Sequence, residues 1–138
     1  MGLKYFAEMF ANNIFSLYPE WRKYGRNLEY DEYEISVPVP FQRDKHDILC
    51  IFIEEECEVV VRFATYYGYF CTFCYDSDHE WLNDIFKFIQ GILDETLVVV
   101  TTLHDNLIKC EVIESYKLLN FTHEIFLVRS WKGTFDKD

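Results

Sequence analysis

Two cysteines, Cys71 and Cys74, have the spacing of a zinc-binding or redox-active pair. A structural zinc site needs two further ligands, and the sequence contains no second Cys-x-x-Cys and no His-x-x-x-His. A redox pair places its first cysteine at the N-terminus of a helix, whereas this pair lies in an aromatic run typical of a strand. We therefore expect two core thiols and no metal site.

The histidines form no recognisable catalytic group. Each one is followed by an acidic residue, at His46, His79, His104 and His123. Neighbours along a strand point to opposite faces, so adjacency alone does not build a dyad. A cysteine nucleophile would need the fold to bring a histidine beside it. We expect no enzyme and no cofactor, and we keep as the alternative a small enzyme or thiol-dependent module that uses Cys71 or Cys74 with a histidine.

Two acidic clusters flank one aromatic stretch of the chain. The first cluster contains Glu54, Glu55, Glu56 and Glu58, the second contains Asp76, Asp78 and Glu80, and the aromatic residues between them include Tyr66, Tyr67 and Tyr69. Carboxylates steer a basic protein toward a surface and tyrosines anchor it there, so these residues are predicted to bind a partner. The competing interpretation is that the glutamates only solvate a hairpin tip and that the tyrosines belong to the core.

Composition narrows the class of partner and the cellular location. The chain has 138 residues, 50% of them hydrophobic, which predicts one domain over residues 1–138. Its formal net charge of -11 repels nucleic acid and anionic lipid and attracts basic proteins.

No apolar run approaches the roughly 18 residues of a membrane span, and the N-terminus lacks the order of a signal peptide. Five cysteines, an odd number, are typical of reduced thiols. We expect a cytoplasmic protein that is a monomer or a weak dimer when free.

Periodicity predicts the elements that must position these residues. Apolar residues at helical spacing predict a helix over 2–18, ended by Pro19, and a second helix after a cap at 76–78 that runs to Leu93, although Gly91 lowers its helicity. Six strands are predicted at 33–39, 48–53, 58–64, 97–103, 107–114 and 124–131. Pro38 and Pro40 place the first of these strands at a sheet edge. The order α-β-β-β-α-β-β-β with short turns predicts an α+β fold, in which two main helices pack on one face of a curved, mainly antiparallel sheet.

Three segments carry a resemblance to a known family. The segment EVVVRFATYYGYF at 58–70 resembles a strand motif, E-[IV]-T-V-x-F-x-x-Y-H-x-H-F, of small bacterial immunity proteins found with polymorphic toxins, including contact-dependent growth inhibition systems. The segments WLNDIFKFIQGILDE at 81–95 and RSWKG at 129–133 resemble the helix and last strand of that family. This chain has Tyr67 and Tyr69 where the family often has two histidines.

The resemblance implies a cytoplasmic, non-enzymatic inhibitor. Such a protein binds the C-terminal domain of its cognate toxin and blocks the active site or the substrate path. Many of these toxins are nucleases, whose basic clefts an acidic protein would complement. A third interpretation, from charge alone, is an acidic adaptor for another basic protein.

Overall fold

A computed structural model describes residues 3–29, 32–40, 48–54, 58–71, 77–121 and 124–137. Within these ranges the long helices are α1 (Leu3–Leu17) and α2 (Asp78–Leu93), and short 3-10 helices η1 (Pro19–Tyr24) and η2 (Ser115–Asn120) follow α1 and the seventh strand. The strands are β1 (Gly25–Asn27), β2 (Tyr33–Pro38), β3 (Ile48–Ile53), β4 (Glu58–Phe63), β5 (Tyr66–Cys71), β6 (Leu97–His104), β7 (Leu107–Glu114) and β8 (Glu124–Arg129). They form one antiparallel sheet in the order β1-β2-β3-β4-β5 and a second in the order β7-β6-β8.

Helix α1 forms and ends as its sequence pattern predicts. Its apolar residues share one face, and Phe10 and Ile14 are fully buried there. The helix stops before Pro19, which has no backbone N–H to donate, and the N–H of Tyr18 makes the last bond to the Ile14 carbonyl, at 2.8 Å. The chain then turns into η1, where Trp21 is buried and stacks on Tyr18 with ring centres 4.1 Å apart.

Helix α2 begins at the predicted cap. The Ser77 hydroxyl oxygen accepts a hydrogen bond from the backbone N–H of Glu80, at 3.2 Å. One residue later, the Trp81 side chain is buried and its Nε1–H donates to the Phe70 carbonyl oxygen, at 3.0 Å. The first turn of α2 is therefore attached to β5. Among the described residues, no helix is long and apolar enough to cross a membrane.

Both long helices pack on one face of the five-stranded sheet. Across this face, Ile35, Ile51 and Val61 lie opposite one another and are fully buried. Phe10 of α1 contacts Trp81 of α2 above them, with ring centres 5.7 Å apart. We call this side the inner face, and its residues are Tyr33, Ile35, Val37, Leu49, Ile51, Ile53, Val59, Val61, Phe63, Tyr66, Gly68 and Phe70.

The three-stranded sheet contributes to two hydrophobic clusters. Val99 of β6 faces the main core beneath the helices. Val98 and Val100, on the other side of β6, form a smaller cluster with Val128 of β8, against which Leu118 of η2 packs. The strand β6 is thus buried on both sides, which suits its run of β-branched residues.

A buried carboxylate holds the segment after β8. Glu95, between α2 and β6, has a positive φ of 63°. Its carboxylate accepts hydrogen bonds from the backbone N–H groups of Lys132 and Thr134, at 3.1 and 3.2 Å, and from the Thr134 hydroxyl, at 2.6 Å. These bonds keep Trp131 in the core, where its ring centre lies 6.0 Å from that of Phe63.

The α+β class and the antiparallel pairing are confirmed, and the sheet arrangement differs in detail from the prediction. The strands form two sheets where one was expected, and the aromatic stretch supplies an additional strand, Tyr66–Cys71. The short β1 was also missed. It pairs with β2 only from Tyr33 to Ile35. Pro38 therefore lies on a part of β2 that has no partner in β1.

Replacing Gly91 with alanine is expected to destabilise the protein by about 1–3 kcal/mol. The added Cβ would lie 2.6 Å from Leu97 Cδ1, so packing explains the glycine inside α2. Helix propensity alone would give the opposite sign, a gain of about 1 kcal/mol. Urea denaturation measures the change, with Lys87→Ala at an exposed position of α2 as the control. A Gly91→Ala variant as stable as the wild type would contradict this packing.

Candidate functional site

The side of the five-stranded sheet opposite the helices contains three of the predicted binding residues, Glu58, Tyr67 and Tyr69. Side chains alternate along each strand, so the residues between the inner-face positions point away from the helices. We call this side the outer face, and its residues are Arg26, Glu34, Ser36, Cys50, Phe52, Glu58, Val60, Arg62, Tyr67, Tyr69 and Cys71.

The three predicted tyrosines divide between the two faces. Tyr67 and Tyr69 lie on the outer face with 47% and 66% of their surface exposed. Tyr66 lies on the inner face, where its ring centre is 6.0 Å from that of Phe88 on α2. Tyr66 is half-buried against the core, whereas Tyr67 and Tyr69 are exposed.

Arg62 lies beside the exposed tyrosines. In the register of β4 and β5 it is directly opposite Tyr67. Its guanidinium carbon lies 5.8 Å from the centre of the Tyr67 ring, and its Nη1 donates to the Tyr67 hydroxyl at 3.4 Å. The cation restricts the orientation of the tyrosine, so part of the surface is ordered before any partner binds.

A buried polar network lies next to Arg62 on the same face. The Glu34 carboxylate is bound by Arg26 Nη2 at 2.8 Å and by the Ser36 hydroxyl at 2.6 Å. The Cys50 thiol donates to it at 3.5 Å. Burial alone would raise the pKa of Glu34, but the hydrogen bonds from Ser36 and Arg26 outweigh burial and lower it. The carboxylate is therefore charged at neutral pH.

The same network makes Cys50 an unreactive thiol. Burial, with a further contribution from the Glu34 charge, raises the pKa of Cys50 to about 11, although the Ser36 hydrogen bond opposes the shift. A thiol is a nucleophile only as the thiolate, so Cys50 stays protonated and inert at neutral pH. Sequence patterns missed this group because Glu34 and Ser36 alternate with apolar residues, as they would on an ordinary solvent-facing side of a strand.

Two described residues of the first acidic cluster, Glu54 and Glu58, lie where β3 and β4 are connected. Glu54 is exposed, and its backbone N–H donates to the Glu58 carbonyl at 2.8 Å across the β3–β4 connection. Burial and the charges of Glu58 and Glu32 raise the pKa of Glu54, so carboxylates are concentrated here. Glu58 lies opposite Cys71 at the end of β5, and exposed Glu80 is in the first turn of α2, which is attached to β5.

The remaining predicted residues divide as follows. Asp78 is the first residue of α2. The positions that lie outside the described residues are Glu55, Glu56, Cys74, Asp76, His46 and His123. Cys71 has a free, half-buried thiol.

The described histidines lie beside polar neighbours. His79 Nε2 is 3.2 Å from Asn83 Nδ2, and His104 Nε2 is 3.2 Å from Asp105 Oδ2. No group of three or more His, Cys, Asp or Glu side chains within the described ranges could hold a metal ion.

No protein-family model, curated protein or solved structure matches this chain. The outer face offers aromatic rings and a guanidinium group, which are enriched at protein–protein interfaces.

Truncating Tyr69 is expected to leave stability nearly unchanged, whereas truncating Tyr66 is not. Tyr69→Ala removes a mostly exposed ring and should change the free energy of unfolding by less than about 0.5 kcal/mol. Tyr66→Ala removes a half-buried ring packed on Phe88 and should cost about 2 kcal/mol. Thermal and urea denaturation measure both. Equal destabilisation by the two variants would show that Tyr69 belongs to the core.

Glu34→Gln is expected to destabilise the protein at neutral pH and to matter less in acid. The folded-state pKa of Glu34 is lowered, so its stabilising effect is present above the ordinary value of 4.5 and is lost as the pH falls through the folded value. The difference between wild type and variant, about 1–3 kcal/mol at pH 7, should therefore shrink below pH 4.5. Urea denaturation at several pH values measures it, with exposed Glu20→Gln as the control. A difference independent of pH would contradict the charged network.

Proposed function

We propose that the chain is an immunity protein that binds and neutralises the C-terminal domain of a cognate bacterial toxin. The observation that supports this most is the exposure of Tyr67 and Tyr69 on an otherwise well-packed face, beside Arg62 and within reach of the acidic end of the sheet. The resemblance of three segments to immunity proteins points to the same class. The proposed protein is not an enzyme, has no cofactor, acts in the cytoplasm and binds neither nucleic acid nor membrane.

Exposed tyrosines fit the role of anchors. Tyrosine and arginine are enriched among the interface residues whose truncation costs most binding energy. Tyr67 and Tyr69 are two residues apart on one strand, so both rings project from the same side of the sheet. Beside Tyr69 on the same face, Val60 is buried and pairs with it in the register, so the base of the ring lies against a rigid strand. A rigid base lowers the entropy lost on binding.

Charge fits a basic partner. The net charge of -11 attracts a basic domain over distances near the Debye length, and Glu54 and Glu58 place negative charge at the end of the sheet near Tyr69. Nucleases bind their substrates in basic clefts, so a nuclease toxin is the proposed partner. Occupying such a cleft would exclude the substrate and would need no chemistry from the immunity protein.

Co-expression tests the function itself. The toxin domain encoded beside this gene is expressed with and without the chain, and growth and complex formation are measured. The proposal expects growth to be restored and a stable complex to be purified. Failure of the intact chain to bind that domain or to restore growth would overturn the immunity assignment.

Surface plasmon resonance against the same toxin domain is expected to separate anchoring from steering. Tyr69→Ala should raise the dissociation rate about 30-fold, the equivalent of about 2 kcal/mol. The double change Glu54→Lys and Glu58→Lys should mainly lower the association rate, and the effect should weaken at high salt.

Matched controls distinguish these effects from general ones. Tyr116→Ala removes an exposed tyrosine of η2, 73% accessible, and should leave the dissociation rate unchanged. Replacing exposed Glu8 and Glu20 with lysine changes the net charge equally at positions away from the outer face. An unchanged dissociation rate for Tyr69→Ala would place the toxin on another surface.

A further inference from the structure

Among the residues that the structure describes, β7 is an edge strand of the three-stranded sheet. The sheet order is β7-β6-β8, and within the described ranges β6 is the strand bonded to β7. Leu107 and Ile108 at the start of β7 are 72% and 74% exposed, although both are large and apolar. An exposed strand edge is a template for pairing with another chain.

The backbone groups that face this edge follow from the β6–β7 turn. Asp105 and Asn106 both have positive φ, 49° and 63°, as in a two-residue type I′ hairpin turn. The turn directs the backbone N–H and C=O groups of Leu107 toward β6. The same groups of every second residue after Leu107 therefore also point toward β6. Two bonds agree: the Lys109 carbonyl accepts from the Thr102 hydroxyl at 3.4 Å, and the Ser115 N–H donates to the Thr96 carbonyl at 2.8 Å.

The residues that alternate with these along β7 are Ile108, Cys110, Val112 and Glu114. Their N–H and C=O groups therefore point away from β6, along the free edge. This alternation fixes which residues of an added antiparallel strand can exchange hydrogen bonds with β7.

We propose that two copies of this chain pair through β7, antiparallel, about a two-fold axis at Cys110. Cys110 then exchanges backbone hydrogen bonds with the partner's Cys110, which its outward-facing groups allow. In this register Lys109 lies opposite the partner's Glu111, and the symmetry generates the same pair twice. The three-stranded sheets of the two copies then form one continuous six-stranded sheet.

Charge complementarity selects this register. Lys109 and Glu111 project from one face of β7, where Lys109 Nζ lies 3.3 Å from Glu111 Oε2. They occupy non-hydrogen-bonded positions of the new ladder, where opposite side chains approach most closely. An axis at Lys109 would place Lys109 opposite its own copy, and an axis at Glu111 would place Glu111 opposite its own copy, so each of these registers sets like charges against each other.

The same register covers the exposed apolar side chains. Ile108 lies opposite the partner's Val112, and Leu107 lies opposite the partner's Ile113. On the core-facing side, Cys110 Sγ is 3.1 Å from the Thr65 hydroxyl, so β7 is held against the five-stranded sheet while its edge pairs. The proposed dimer does not involve Tyr67 or Tyr69, and it stands independently of the proposed function.

Sedimentation equilibrium of single variants and their mixture tests the register. Lys109→Glu leaves two glutamates facing two glutamates, and Glu111→Lys leaves two lysines facing two lysines, so each variant alone should dimerise about tenfold more weakly than the wild type. A 1:1 mixture of the two restores opposite charges across the axis and should form heterodimers with an affinity close to that of the wild type. The measurement is made at an ionic strength of about 0.15 M, where distant charges are screened.

Exposed positions of α2 provide the controls. Lys87→Glu and Asp84→Lys make the same changes in net charge away from β7 and should dimerise like the wild type. Thermal melts establish that each variant is folded. A wild type that stays monomeric at about 0.5 mM, a range in which weak complexes are populated, would overturn the proposal. Single variants that dimerise as tightly as the wild type, or a mixture no tighter than the single variants, would also overturn it.

Discussion

The alternation of side chains along β2 to β5 is the constraint on which the rest of the structure depends. Ile35, Ile51 and Val61 are fully buried beneath the helices, so the residues between them must point to the other side. A slip of one residue in the pairing of β4 and β5 would turn Tyr67 and Tyr69 into the core. The free energy of core burial therefore also fixes which aromatic rings are offered to a partner.

The polar network around Glu34 gives the outer face its rigidity. A buried charge is costly unless it is paired and hydrogen-bonded. Here Arg26 and Ser36 meet that requirement and join β1 to β2 through one carboxylate, and the Cys50 thiol adds a bond from β3. Because the Cys50 thiol donates to the same carboxylate and keeps its proton, we assign the network a structural role.

Local signals in the sequence predicted the elements, and long-range pairing decided the rest. The Ser77 cap, the stop at Pro19 and the β6–β7 hairpin depend on residues close in sequence, and all were predictable. The run at Tyr66–Cys71 was typical of a strand but was not counted as one, because the turn before it, at Ala64 and Thr65, contains no Gly, Pro, Asn or Asp to separate it from β4. The division into two sheets depends on which distant strands pair, which periodicity does not encode.

The candidate site was predictable as a region and not as a surface. The sequence placed three tyrosines together, but only the strand register separates Tyr66, packed on Phe88, from Tyr67 and Tyr69. The most direct test of the central claim is hydroxyl-radical footprinting of the free chain and of its complex with the toxin domain encoded beside it. Oxidation of Tyr67 and Tyr69 should fall severalfold in the complex, while that of exposed Tyr116 on η2 should not change. Equal oxidation of Tyr67 and Tyr69 in the free and bound chain would contradict the account.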